Sequence, residues 1–117
     1  MTDFTNQRQF ERVDVRIRTI YHDEIDADAS DSLMSNLSLG GCFIRSTRVS
    51  PTGSAIQVKF KLPGRDEVIE ARGTVRWAKG TGPEEERGMG IQFDEIRPEH
   101  LLLLKQFIAE RIQSSIW

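Results

Sequence analysis

Two short runs in this 117-residue chain carry residue types suited to holding an anion. Arg8 and Arg12, in "RQFER", place two guanidinium groups in a polar segment near the start. About two dozen residues on, "SNLSLGGCFI" sets Asn36, Ser38, Gly40 and Gly41 against an apolar run. Strand interiors disfavour Gly and Asn, because Gly packs no side chain and costs backbone entropy. Two readings fit. The run is a bulge or tight bend between strands, or it is a surface where a ligand comes close to the backbone. Taken together, the two runs join guanidinium groups to a small-residue platform, an arrangement suited to a purine nucleotide phosphodiester.

Other chemistry finds less support. His22 and His100 are the only histidines; they lie far apart, without metal-ligand spacing, and both read as surface residues. "DADAS" (26–30) resembles the opening of a calcium loop but lacks the central Gly and closing Glu, so it reads as a solvated hairpin loop. Cys42 is the only cysteine, which rules out an internal disulfide and a cysteine zinc site. Neither Cys42 nor Ser54, Ser114 or Ser115 has a base at hand. No catalytic residue, metal or cofactor is expected, and the chain reads as a non-enzyme.

Net charge is −2 and the pI about 5.7, which argues against generic capture of nucleic acid. The charge is nevertheless uneven: Arg8, Arg12, Arg16 and Arg18 precede an acidic run holding Asp23, Glu24, Asp26, Asp28 and Asp31. No apolar run reaches the length of a membrane span and the N-terminus lacks a signal-peptide core, so a cytoplasmic protein is expected.

The elements that must position these residues are mostly strands. Val13, Val15 and Ile17 alternate with Asp14, Arg16 and Arg18. "AIQVKFKL" alternates more cleanly, with Ile56, Val58, Phe60 and Leu62 on one face. "VIEARGTVRWAK" puts Ile69, Ala71, Val75 and Trp77 inward and Arg76 outward, with Gly73 where a curved strand turns a barrel corner. "GMGIQF" supplies a short last strand through Met89, Ile91 and Phe93. Since Phe60, Trp77 and Phe93 all take the inward phase, an aromatic nucleic-acid platform is not expected. "SPTG" suits a type I turn and "PGRD" closes a hairpin. The pattern implies an antiparallel sheet, closed or nearly so. From Pro98 the period changes: Leu101, Leu104, Ile108 and Ile112 recur at helical spacing, with Leu103 and Phe107 widening the stripe. That helix either plugs the barrel or offers a face to a partner.

In these residues the chain resembles the PilZ domain, the bacterial cyclic di-GMP receptor. Arg8-Gln9-Phe10-Glu11-Arg12 is similar to the family's R-x-x-x-R, and Asn36-Leu37-Ser38-Leu39-Gly40-Gly41 to its [D/N]-x-S-x-x-G. "GTVRWAK" and "GMGIQF" are similar to its late strands. The resemblance implies an all-β fold with a C-terminal helix: a six-stranded antiparallel, PilZ-type split barrel capped by that helix. Residues 1–12 would form a flexible arm, and 13–117 the barrel with its helix at about 98–113. It implies cyclic di-GMP as ligand, bound by Arg8, Arg12, Asn36, Ser38 and Gly41, with Gln7, Gly40 and Arg76 in weaker supporting roles. Binding would change the conformation and signal to a downstream protein in motility, adhesion or exopolysaccharide control. The alternative is a PilZ-fold protein-protein interaction module with weak or no ligand binding. Gln7 stands where many members carry a further arginine, which favours one ligand molecule per site over an intercalated pair. A monomer or weak dimer is expected.

Overall fold

A computed structural model describes residues 11–23, 30–46 and 48–116. Six strands form: β1 (Val13–Asp23), β2 (Ser30–Leu37), β3 (Gly41–Arg45), β4 (Ala55–Lys61), β5 (Val68–Lys79) and β6 (Gly88–Ile96). A 3-10 turn, Glu84–Glu86, interrupts the polar loop before β6, and helix α1 runs Pro98–Ile116. Every neighbouring pair is antiparallel, and the order β1-β2-β3-β6-β5-β4 closes on itself through β4 and β1. The expected six-stranded barrel with one C-terminal helix is what forms, and the helix ends three residues beyond the expected position.

The period of two explains why these runs are strands. Ile17, Tyr21, Ile56, Val58, Phe60, Ile69, Ala71, Val75, Met89 and Ile91 all point into one core. Leu104, Phe107 and Ile108 of α1 join the same cluster, so the helix plugs the barrel, while Leu102 on its other side stays exposed. Met34 and Leu37 are both fully buried although three apart in β2. A bulge reconciles them: Met34 pairs with Ile44 and Asn36 with Phe43, leaving Ser35 without a partner in β3 and resetting the phase.

A second bulge corrects the expectation for Trp77. Val75 pairs with Ile91 and Trp77 with Gly90, so Arg76 is the extra residue and the inward phase ends there. Trp77 therefore faces out, 49% exposed, while Phe60 is core and Phe93 packs partly against it. His100 also departs from expectation. It is 6% exposed, and its Nδ1 accepts from the Glu70 backbone N–H at 3.3 Å, tying the first turn of α1 to β5. At the other end of the helix, Arg111 donates to the Asp14 carbonyl at the start of β1.

Candidate functional site

The N-x-S-x-x-G run is the end of β2, a tight turn and the first residue of β3. A bend between strands and a platform thus occupy the same residues. Ser38 N–H donates to the Gly41 carbonyl at 2.9 Å, closing the turn. The Ser38 hydroxyl, in a residue 7% exposed, accepts from Gly40 N–H at 3.1 Å and donates to the Gly41 carbonyl at 3.3 Å. Such local side-chain bonds are what serine offers at turns. β6 then holds the turn from the side, with Phe93 N–H donating to the Gly40 carbonyl at 2.8 Å.

Glycine at 41 is demanded by this packing. Gly41 pairs with Gln92, and a Cβ on it would collide with the Ile91 carbonyl oxygen. Cys42 follows, buried inside the barrel, where desolvation pushes its thiol well above the ordinary range.

Register brings the last residue of the other motif to the same place. Val13, the first residue of β1, pairs with Leu37. In an antiparallel ladder the residue before Val13 lies opposite the residue after Leu37, which puts Arg12 beside Ser38. Arg12 is exposed. Asn36 is half-buried and sits between Asp14 of β1 and Phe43 of β3. Arg12, Asn36, Ser38, Gly40 and Gly41 thus share one end of the β1-β2-β3 surface. Arg8 and Gln7 lie outside the described residues. Arg76 is exposed at its bulge next to Trp77, two strands from β3.

The row through Asn36 continues outward across the barrel. Phe43 pairs with Gly90, and Gly90 with Trp77. With no side chain between them, the Phe43 and Trp77 rings meet across β6, centroids 5.6 Å apart and tilted by 47°. This aromatic ledge was not read from the sequence; the signal was the Gly90 opposite it, legible only once the register is known. Among the described residues, no cluster of His, Cys, Asp and Glu is arranged to hold a metal ion, and no helix is long and apolar enough to cross a membrane. What the surface can do chemically is bind: it combines an exposed guanidinium, amide and hydroxyl groups, a glycine-lined shelf and two apolar rings.

Comparisons with known proteins bear on the family and the fold. The family model for the PilZ domain matches residues 6–110. The barrel is similar to the Bacillus subtilis inhibitor of motility MotI/DgrA, with a TM-score of 0.72 at 22% identity, covering 91% of this chain and 52% of that one. It is similar to the PilZ domain of YcgR from Escherichia coli, solved with c-di-GMP, with a TM-score of 0.66 at 14% identity over 93% of this chain and 94% of that one. PlzA of Borreliella burgdorferi, solved in complex with c-di-GMP, gives a TM-score of 0.60 at 16% identity over 90% of this chain and 43% of that one. The chain therefore spans about half the length of MotI/DgrA and less than half of PlzA. No curated protein matches it in sequence.

Proposed function

This chain belongs to the PilZ domain family, and from that membership we propose that it is a cyclic di-GMP receptor whose N-terminal segment closes over the ligand. The observation that carries the reading is the register that sets Arg12 beside the Ser38–Gly41 turn. Arg8 and Arg12 bond guanine O6 and N7 or the phosphates, and stack on the purine faces, roles that fit a planar guanidinium. Asn36 bonds a guanine edge or holds an arginine. The Ser38 hydroxyl turns from its long bond to the Gly41 carbonyl toward a phosphate oxygen, and the aromatic ledge gives a base an apolar surface. Gln7, Gly40 and Arg76 support the contact, and one ligand molecule fills the site. The structures of YcgR and PlzA, both solved with c-di-GMP, support this reading.

The energetics describe a switch. If the segment 5–12 has no fixed conformation without ligand, ordering each of its residues costs about 1–2 kcal/mol, and each charge-assisted hydrogen bond returns roughly 1.5–3 kcal/mol. Several must form together, leaving affinity near the micromolar level, about −8 kcal/mol. The docked segment presents a new surface to a protein partner in the cytoplasm.

Calorimetry with cyclic di-GMP tests this. Wild type is expected to bind saturably, and Arg12→Ala and Ser38→Ala each to weaken binding by roughly tenfold or more. No heat from wild type would instead support a PilZ-fold interaction module. An independent expectation concerns Trp77. In a Trp117→Phe background its emission changes as ligand is added, and an unchanged spectrum at saturation would remove the ledge from the site.

A further inference from the structure

Between the Ser38–Gly41 turn and the Phe43–Trp77 ledge, the outer face of β6 presents Gly90 and then Gln92. Gln92 lies in register with Gly41 of β3 on one side and Thr74 of β5 on the other. Its Nε2 donates to Asp94 Oδ1 at 3.2 Å, and Thr74 Oγ1 donates to Asp94 Oδ2 at 2.6 Å. Asp94 is placed for this by a bulge: Gly73 pairs with Phe93 and Arg72 with Glu95, leaving Asp94 over. A carboxylate only accepts hydrogen bonds, so Asp94 fixes which way round the Gln92 amide sits. The NH2 faces Asp94 and the carbonyl oxygen faces away. No bond to that oxygen forms among the described residues. It is an oriented acceptor on the floor of the shelf, flanked by two glycines.

A guanine bound through O6 and N7 to arginine still carries donors on its opposite edge, an N1–H and the exocyclic amino group. The family pattern admits Asp or Asn at position 36; Asn36 brings a neutral amide there and no carboxylate. Resting on the cyclic di-GMP reading, we infer that Gln92 is a specificity-determining residue of the site. Its Oε1 accepts from the guanine amino group, and Asp94, held by Thr74, is the positioning residue that aims it. A site built to pair with a donor discriminates against the analogue that lacks it.

Cyclic di-IMP is the probe, because hypoxanthine keeps O6, N7 and N1–H and lacks only the amino group. Calorimetry on the full chain is expected to show wild type binding cyclic di-GMP roughly tenfold tighter than cyclic di-IMP. In Gln92→Leu that ratio falls to about one with both still bound. In Asp94→Ala the ratio falls partway, a change that loss of fold alone does not produce. If both variants keep the wild-type ratio, the assignment of Gln92 is overturned and the cyclic di-GMP reading stands. If Gln92→Leu binds neither dinucleotide, the Asp94→Ala ratio decides: a fall supports the assignment and an unchanged ratio overturns it. Wild type binding neither dinucleotide overturns both.

Discussion

Gly41→Ala is expected to lower stability by about 3 kcal/mol, the upper end of what overpacking a close-packed interior costs. The obstacle is the Ile91 carbonyl, which belongs to the backbone of β6, so no side-chain rotation relieves it. β3 and β6 must part, and the turn that orients Ser38 is built on their junction. A loss of that size takes a large share of the roughly 5–15 kcal/mol that holds a domain together. Gly64→Ala is the control. Gly64 has φ +80° with open space around it, so its substitution carries only the left-handed backbone penalty, about 1–2 kcal/mol. Thermal melting of both variants without ligand decides the point. A Gly41→Ala protein that melts like wild type yet fails to bind cyclic di-GMP would mean that glycine serves the ligand and not the barrel.

Leu104→Ala is the other large effect. Leu104 is fully buried in the cluster that α1 shares with the barrel strands. Deleting a buried leucine side chain costs roughly 2–5 kcal/mol through lost transfer energy and the cavity left behind. Leu102, 56% exposed two residues earlier, is expected to change stability by about 0.5 kcal/mol or less on the same substitution. Denaturant midpoints at unchanged slope make the comparison. Equal midpoints for the two variants would mean that the helix does not plug the barrel and that its apolar stripe waits for something else.

The fold was legible wherever one face of a strand is buried, because a period of two then runs uninterrupted, as in β4. It failed where a single extra residue enters. Nothing in "TVRWAK" marks Arg76 as a bulge; the cause lies across the sheet, in how β5 pairs with Ile91 and Gly90. The error placed Trp77 inside and hid the ledge. His100 misled for a related reason. Its partner is a backbone N–H thirty residues away, and a histidine at a helix start otherwise looks solvated. At the site, the motifs gave residue types and chain order, but the neighbourhood of Arg12 and Ser38 is a property of the β1–β2 register. Nothing in the sequence singles out Gln92, Thr74 or Asp94. Only the Asp94 bulge brings them into one hydrogen-bonded set.

The pairing of β4 with β1 has a consequence for how a downstream protein could engage this domain. Among the described residues the ring has no first or last strand and so no full-length free edge, which disfavours docking of an incoming peptide as an added strand. Recognition of such a domain is then carried by side chains on its outer face. The same closure disfavours strand-to-strand polymerisation of one copy with another.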